Sequence, residues 1–380
     1  MSAARLEVAK SYAALAPDNP ARRLPRAPRR ARPAAFTAAF DDRTLFYDCF
    51  WHEDGRRILL VGPPPRNLMR AFRQAVVRAR PSGTALATRF FPSLSTMLTE
   101  LRGAPAGTTQ VEIELCGETF VLAVQPNAAA ALSGRRLLFS VNRDNDLAWI
   151  REWATFHARL HGTDAVLLFD NGSTRYGPDE IAAVLRAVPG LAQVGVASWP
   201  YSFGPLDPAV RANPYWARFL QIATMSVVLR RYGALADGLL DCDIDELAGT
   251  RSGRSIYELA RRARGGLVAF RGTWIEAVGT GTRHRDFTQR LADPRAATSR
   301  PRKWALDPSR AWVRRLSVHP YWHWIAGRPP LAKATPDDAL YWHFRAINTN
   351  WKQTRNRPPA PDAPLETDLL LTAAFARLEA

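Results

Sequence analysis

Cysteine is scarce in this chain of 380 residues, and long apolar runs are missing. The three cysteines, Cys49, Cys116 and Cys242, stand at unrelated spacings, which excludes both a disulfide framework and a zinc-binding pattern. No apolar run approaches the length that crosses a bilayer, and residues 1–36 lack the apolar segment of a secretory signal. These features together predict a protein of the reducing cytoplasm.

Lysine is also scarce, so nearly all of the positive charge is arginine. The formal net charge is +17, a balance that suits an anionic partner. No stripe of alternating aromatic and basic residues accompanies the arginines, and much of the charge lies near the N-terminus. Nucleic acid is therefore the less favoured partner, whereas an anionic substrate such as a nucleotide diphosphate needs only a few of these charges. The lysines are Lys10, Lys303, Lys333 and Lys352.

Composition divides the chain into four parts. Residues 1–36 are rich in alanine, arginine and proline and predict a mobile or weakly helical tail. Residues 37–133 contain short strand-like runs between glycine and proline turns, which predict a β-rich accessory domain with one helix over 67–80. Residues 135–356 form the main domain, and residues 357–380 predict a proline-rich linker followed by a C-terminal helix.

Strand-like and helix-like segments alternate from residue 135 onward. Buried strands are predicted at 137–141, 165–169 and 194–197, and Leu239 and Leu240 are predicted to end a further one. The runs at 137–141 and 165–169 end in polar turns. Apolar residues recur at helical spacing after the first strand, and 214–232 predicts a long helix. This alternation is typical of an α/β fold in which helices flank a mostly parallel sheet.

Four acidic side chains fall within six residues, directly behind an apolar run. They are Asp241, Asp243, Asp245 and Glu246. Consecutive carboxylates are costly to bury without a counter-charge, and a divalent cation supplies one because hard cations take carboxylate oxygens. The alternative is a helix start, since acidic residues favour a first helical turn and Asp241 can cap it.

Polar segments follow three of the predicted strands, at 142–145, 170–174 and 241–246. The carboxyl ends of parallel strands meet at one edge of a sheet, so the three segments can converge on one ligand. Asp170 is suited to accept a hydrogen bond from a ribose hydroxyl or a base N–H. The alternative for Asp170 is a helix cap.

On these residues the chain resembles the GT-A glycosyltransferases, specifically the family 2 and family 92 type of bacterial polysaccharide and glycan assembly. The likeness covers residues 135–356 and not the N-terminal domain. It implies the GT-A fold, a Rossmann-like, mostly parallel sheet with flanking helices. The matching segments are Val141-Asn142-Arg143-Asp144-Asn145, Glu152-Trp153 with His157, Leu168-Phe169-Asp170-Asn171-Gly172-Ser173-Thr174 and Asp243-Ile244-Asp245-Glu246-Leu247.

The resemblance implies a metal-dependent hexosyltransferase. Such an enzyme moves a sugar, with inversion, from a nucleotide-diphosphate donor to a hydroxyl of a glycan or lipid-linked acceptor. Asp243 and Asp245 would hold Mn²⁺ or Mg²⁺ against the diphosphate, with His319 as a further ligand or, alternatively, as a hydrogen-bonded histidine in an aromatic wall. The implied nucleotide-sugar contacts are Asn142, Arg143, Asp170, Asn171, Ser173, Lys303, His343 and Arg345, the last three having a plain surface role as the alternative.

An inverting transfer needs a carboxylate that deprotonates the acceptor hydroxyl. Glu276 is the preferred candidate because it follows the acidic motif in a strand-like segment, and Asp286 and Glu246 are the alternatives. The arginine excess further suggests peripheral contact with an anionic inner membrane, where lipid-linked acceptors are made.

Two other function classes compete with this interpretation. A nucleotidyltransferase shares the fold class but usually carries a glycine-rich basic loop after its first strand, and residues 142–147 contain no glycine. A non-catalytic carbohydrate- or nucleic-acid-binding protein would account for the twelve tryptophans and the positive charge.

Overall fold

A computed structural model describes residues 3–26, 32–205, 217–334, 336–351, 359–360 and 362–379. These residues form a mixed α/β structure with one large, mainly parallel sheet and several small antiparallel sheets. No helix in the described ranges is both long and apolar enough to cross a membrane.

The first third of the chain is mostly β-structure, as the sequence predicts. Its helices are α1 (Ala34–Ala39) and α2 (Met69–Gln74). Its strands are β1 (Ala4–Arg5), β2 (Ala13–Ala14), β3 (Thr44–Phe46), β4 (Asp48–Trp51), β5 (Arg57–Gly62), β6 (Val76–Arg80), β7 (Ala87–Pro92), β8 (Met97–Arg102), β9 (Gln110–Leu115) and β10 (Glu118–Ala123).

The rest of the chain alternates between strands and helices. Its helices are α3 (Leu147–His161), α4 (Pro178–Arg186), α5 (Phe219–Val227), α6 (Ile256–Arg262), α7 (Pro294–Ala297) and α8 (Leu369–Glu379). Its strands are β11 (Arg136–Asn142), β12 (Ala165–Asp170), β13 (Gln193–Ser198), β14 (Gly238–Asp241), β15 (Glu246–Thr250), β16 (Leu267–Ile275), β17 (Gln289–Leu291), β18 (Thr298–Leu306), β19 (His319–Tyr321), β20 (Trp324–Ala326), β21 (Lys333–Ala334), β22 (Ala339–Phe344) and β23 (Leu365–Thr367).

The large sheet has the strand order β1-β13-β12-β11-β14-β18-β16-β22-β15, and β21 also pairs with β16. The five strands from β1 to β14 are parallel, while β18 runs antiparallel to both of its neighbours. The chain leaves β11 toward β12 and β13 on one side and returns to β14 on the other. Strand order therefore reverses at β11, and the crevice beyond the end of β11 is where such sheets bind ligands.

Helix α3 connects β11 to β12 and is held at both ends. Asp146 caps its N-terminus by accepting the backbone N–H of Ala148 at 2.8 Å, and Gly162 ends it in the left-handed conformation, with φ of 65°. Its buried face contains Ile150, Trp153 and His157. The helical periodicity seen in the sequence is therefore the packing face of α3.

Two predicted helices have different bounds in the structure. The helix predicted over 67–80 is confined to α2, because the residues after it alternate between buried and exposed and pair with β9 as β6. The helix predicted over 214–232 is α5, which continues as one π-helical turn at Val228–Tyr232, while 214–216 lies outside the described residues.

The described part of the predicted tail is packed against both halves of the molecule. β1 extends the large sheet beside β13, and β2 pairs with β3. Arg23 is buried and donates to the carbonyl oxygens of Pro64 and Asp41 at 2.9 and 3.1 Å. Carbonyl groups can satisfy a buried guanidinium, so an arginine-rich composition does not reveal this packing.

The accessory strands form a four-stranded sheet, β4-β5-β8-β7, and a three-stranded sheet, β10-β9-β6. Phe50 and Leu59 of the first sheet share one continuous apolar core with Leu137 and Phe139 of the large sheet. The two predicted domains therefore pack as neighbours around a common core.

At the other end of the chain, α8 packs against α3 through Phe375 and Phe156, and residues 357, 358 and 361 of the predicted linker lie outside the described residues.

Candidate active site

The acidic cluster lies beyond the end of β14, beside the crevice at β11. β14 ends at Asp241, and β15 begins at Glu246 and pairs antiparallel with β22. The intervening residues form a turn between two strands, so the helix-start alternative is wrong. We refer to residues 243–245 as the acid loop.

Lys303 connects the acid loop to β15. It lies on β18, is 1% exposed, and its Nζ atom is 2.9 Å from both Oδ2 of Asp243 and Oε2 of Glu246. The same Oε2 atom accepts the backbone N–H of Asp243 at 2.9 Å. Lys303, predicted as a diphosphate contact, is therefore engaged with the carboxylates.

Burial and charge act in opposite directions on this cluster. Burial alone would lower the pKa of Lys303, but the carboxylates of Asp241, Asp243 and Glu246 outweigh it and raise the pKa well above its ordinary value. Burial raises the pKa of Glu246, and the charge of Lys303 opposes that shift. Lys303 is thus a fixed positive charge within the acidic cluster.

His343 lies on the other side of Glu246, on the neighbouring strand β22. Its Nε2 atom is 3.2 Å from Oδ2 of Asp245, and its Nδ1 atom is 3.9 Å from Oε1 of Glu246. One ligand atom from each of these three residues falls within 4.8 Å of the others. Two carboxylates and an imidazole fit Mn²⁺, which accepts both oxygen and imidazole ligands. We call Asp245, Glu246 and His343 the cation triad.

An aromatic stack backs the cation triad. The ring of Trp274 stacks on His343 with centroids 3.9 Å apart, and the guanidinium of Arg345 lies 4.3 Å from the Trp274 ring centroid. Arg345 also donates from Nε to Oε2 of Glu276 at 2.9 Å. His343, Arg345 and Glu276, which the sequence assigned to binding and catalysis, are therefore brought together.

The predicted nucleoside contacts form one hydrogen-bonded network at the ends of β11 and β12. Asp170 accepts from Asn142 Nδ2 at 2.8 Å and from the backbone N–H of Ser173 at 3.0 Å. Asn145 donates to Oδ1 of Asn142 at 2.9 Å. The Ser173 hydroxyl bridges Asp170 and the backbone N–H of Asp144 at 2.5 and 2.8 Å. This network organises the two strand ends.

A small cleft joins this network to the acid loop. Asn145, Asp243 and Asp245 line it together with Trp351. Arg143 lies over the Trp351 ring, 5.7 Å from its centroid. Asn145, which is hydrogen-bonded to Asn142, is therefore the member of the network that borders the acid loop.

Asn171 has a different position from the other network residues. Its side-chain amide donates to the carbonyl oxygens of Trp199 and Tyr201 at 2.7 and 2.8 Å, and the residue is buried. Both amide hydrogens are therefore used to connect the turn after β12 to the segment after β13.

The three candidate bases lie in different surroundings. Glu276 is 2% exposed and, besides its contact with Arg345, has one oxygen, Oε1, without a hydrogen-bond partner among the described residues. Asp286 accepts the backbone N–H groups of Thr282 and Arg283, both at 2.8 Å. Glu246 belongs to the acidic cluster described above.

His319 and His323 both lie near the hairpin of β19 and β20, but only one is electrostatically linked to the acid loop. Burial lowers the pKa of His319 to about 4, and Arg230 is the charge that adds to the shift. Burial also lowers the pKa of His323 to about 4, with Lys303 lowering it further and Asp243 opposing. His319 is not a member of the cation triad, and His323 was missed because its spacing from the acidic motif carries no signal.

Glu246 and His284 have contacts that the sequence does not indicate. The sequence places Glu246 in the acidic cluster and offers it as an alternative base, and the metal ligands that the resemblance implies leave it out, whereas in the structure it belongs to the cation triad. His284 is buried and donates from Nε2 to the carbonyl oxygen of Ile244, within the acid loop, at 2.9 Å. An isolated histidine in an arginine-rich segment gives no indication of such a contact.

Comparison with known proteins gives little further information. No protein-family model matches the chain, and no curated protein matches it. Among solved structures, the apo structure of the bifunctional glycosyltransferase WbbM is similar to half of this chain, at 9% identity and a TM-score of 0.25. The match covers 35% of that protein's chain. A similarity this low carries no argument about activity.

Proposed function

We propose that this chain is a metal-dependent glycosyltransferase of the GT-A type. It transfers a sugar, with inversion, from a nucleotide-diphosphate donor to a hydroxyl of a glycan or lipid-linked acceptor. The observation that carries the proposal is the position of the cation triad and the acid loop, which adjoin the Asn145–Asn142–Asp170 network at the point where strand order reverses.

In this proposal, Asp243, Asp245, Glu246 and His343 would hold the cation, Mn²⁺ or Mg²⁺. When bound, it would supply positive charge to neutralise the diphosphate as a leaving group. Lys303 holds Asp243 and Glu246 in place through its 2.9 Å contacts. His319, which the resemblance implies as a further ligand, lies outside the cation triad.

The donor nucleoside would bind at the strand ends beside Asn145, on the side of Asn142, Asp170, Asn171 and Ser173. Trp351 offers a flat ring at the cleft, and Arg143 supplies a positive charge over that ring. A flat ring suits contact with a base or a sugar. Arg345 is suited to a phosphate because a guanidinium binds phosphate through two parallel hydrogen bonds.

The proposed reaction is a single displacement. The acceptor oxygen attacks the anomeric carbon, the bond from that carbon to the diphosphate oxygen breaks, and the nucleotide diphosphate leaves. Glu276 accepts the hydroxyl proton as this occurs. The Arg345 contact fixes one oxygen of Glu276 and leaves Oε1 as the oxygen that takes the proton.

A donor screen tests the proposal directly. Release of UDP or GDP from nucleotide sugars is measured with and without Mn²⁺, for wild type and for the Asp243→Ala and Asp245→Ala variants. Asp237→Ala is the matched control, because Asp237 precedes the same strand at its opposite end. Loss of Mn²⁺-dependent release in the two loop variants alone supports the proposal, and undiminished release in both rejects it.

The competing function classes give different results in a ligand-binding experiment. Thermal stabilisation by UDP that requires Mn²⁺ supports the transferase. Stabilisation by an oligosaccharide or by DNA without a metal supports a non-catalytic binding protein, and release of pyrophosphate from a nucleoside triphosphate supports a nucleotidyltransferase. Membrane association is tested by partition with vesicles, which should increase when the vesicles contain anionic lipid.

A further inference from the structure

The carbonyl groups of the acid loop are each bound by a different donor. The carbonyl oxygen of Asp243 accepts from the backbone N–H of Glu246 at 3.0 Å, and that of Asp245 accepts from the backbone N–H of Phe344 at 2.9 Å. The carbonyl oxygen of Ile244, between them, accepts from Nε2 of His284 at 2.9 Å. A side chain from a distant segment therefore fixes the central peptide of the loop.

Glu152 of α3 holds His284 in turn. Its Oε2 atom accepts the backbone N–H of His284 at 3.1 Å and lies 3.4 Å from Nδ1 of the same residue. The other oxygen, Oε1, faces Arg283 and Arg285 at 3.9 and 3.6 Å. The ring of Phe344 packs edge-on against the imidazole with centroids 5.1 Å apart. The orientation of His284 is therefore fixed on several sides.

The direction of the loop hydrogen bond is unambiguous. A carbonyl oxygen only accepts, so Nε2 of His284 carries the proton. Without this donor, the carbonyl group of the peptide that joins Ile244 to Asp245 loses its hydrogen bond to His284, and a turn of that peptide changes the relative orientation of the Asp243 and Asp245 carboxylates. The affinity of a cation site depends on such orientations, because hydrogen bonds from residues that do not touch the metal hold its ligands in place.

We propose that His284, held by Glu152, is a positioning residue for the cation site: it fixes the peptide between Asp243 and Asp245, and with it the geometry in which these carboxylates meet a divalent cation. This inference rests on the proposed function only for the existence of the cation site. It concerns affinity for the metal, which is measured without a sugar donor.

His161 provides a matched control. It is buried like His284, and its Nε2 atom also donates to a backbone carbonyl at 2.9 Å, but that carbonyl belongs to Ala248 on β15, beyond the acid loop. Replacing either histidine removes the same kind of bond from the same region. A purely structural role predicts the same result for both.

The experiment measures Mn²⁺ binding to the full chain by isothermal titration calorimetry, together with the melting temperature. His284→Ala is expected to weaken Mn²⁺ binding by about tenfold, the lower end of the effects seen for outer contacts of metal ligands. His284→Gln retains an N–H donor near the Nε2 position and should restore most of the affinity. Glu152→Gln should give a smaller loss of the same sign, and His161→Ala should lower the melting temperature without weakening Mn²⁺ binding.

Three results would overturn the inference. If His284→Ala binds Mn²⁺ with the affinity of the wild type, His284 does not position the cation site, although the site itself stands. An equal loss of affinity in His161→Ala shows that the effect follows general stability. If the wild type does not bind Mn²⁺, the cation site itself is wrong, and the inference falls with it. Failure of the role of His284 and failure of the proposed cation site therefore give different results.

Discussion

The Nζ atom of Lys303 lies 2.9 Å from Oδ2 of Asp243, and the lysine is almost completely buried. A buried ammonium is costly unless it is paired, and breaking such a pair leaves the partner charge without compensation. Lys303 is thus held in the interior by the carboxylates that it neutralises, and the acid loop depends on a residue contributed by β18.

Replacing Lys303 with methionine should therefore destabilise the protein. We expect a loss of about 3–5 kcal/mol in the free energy of unfolding, because the variant leaves Glu246 buried beside Asp243 without the positive charge. Urea denaturation of Lys303→Met measures this loss. Arg300→Met, an exposed position on the same strand, is the control and should change stability by less than about 0.5 kcal/mol. A loss of similar size at both positions would contradict the assigned role of Lys303.

The parallel half of the fold could be predicted because its strands are buried on both faces. Buried parallel strands are continuous apolar runs, and the runs predicted at 137–141, 165–169 and 194–197 are β11, β12 and β13. The polar segments 142–145 and 170–174, which follow β11 and β12, could be placed at one edge of the sheet because the carboxyl ends of parallel strands meet there. The network of Asn142 with Asp170 follows directly, since these residues are paired in register.

The partners of the acid loop could not be predicted in this way. Lys303 reaches the loop because β18 pairs antiparallel with β14, and His343 reaches it because β22 pairs with β15 opposite Glu246. These pairings join segments far apart in sequence, and no local pattern specifies their register. The sequence therefore identified the carboxylates but assigned Lys303 and His343 to the substrate.

At β6, the local sequence predicts the wrong element, a helix in place of a strand. Residues 76–80 follow a helix and contain alanine, arginine and valine, so local composition is compatible with a longer helix. Their burial alternates instead, with Val77 and Ala79 inside, because β9 offers a strand edge for pairing. Tertiary pairing overrides weak helical propensity at this position.

His343 and His319 give opposite predictions for metal binding. His343 belongs to the cation triad, whereas the charge that acts on His319 is Arg230. His343→Asn should weaken Mn²⁺ binding by at least about tenfold, and His319→Asn should change it by less than about twofold. Calorimetric titration of the apo-protein measures both. A larger loss in His319→Asn would restore the assignment made from the sequence resemblance.

The histidines of α3 predict a dependence of stability on pH. Burial lowers the pKa of His157 to about 3 and that of His161 to about 4. An unfolded histidine takes up its proton near pH 6.5. Between pH 6.5 and about 4, only the unfolded state binds these protons, so the free energy of unfolding decreases as the pH falls. Each histidine contributes about 1.4 kcal/mol per pH unit.

A single substitution separates this effect from other titrations. His157 accepts the backbone N–H of Ala248 through Nε2 at 3.1 Å, and glutamine offers an acceptor oxygen near the same position without a titrating group. From pH 7 to pH 5, His157→Gln should lose about 2 kcal/mol less stability than the wild type. Urea denaturation at the two pH values measures the difference. The exposed Arg159→Gln on the same helix should retain the wild-type dependence, and equal losses in wild type and His157→Gln would contradict the prediction.

A buried ion pair joins β4 of the accessory sheets to the π-helical turn that follows α5. Arg231 lies in the π-helical turn and donates to Oδ2 of Asp48 at 2.8 Å and to the carbonyl oxygen of Ala9 at 2.6 Å. Both members of the ion pair are buried. Asp48→Ala leaves the guanidinium without its counter-charge and should cost about 3–5 kcal/mol.

A double-mutant cycle assigns this cost to the pair. Asp48→Ala combined with Arg231→Met should lose about 1–3 kcal/mol less than the sum of the two single variants, because the second substitution removes the stranded charge. Asp179→Ala, in an exposed pair with Arg5, should cost less than about 1 kcal/mol.

Unfolding followed by tryptophan fluorescence and by far-ultraviolet circular dichroism should give one coincident transition, because the accessory sheets and the large sheet share a core. Two separate transitions in the wild type would show that this shared core does not couple them.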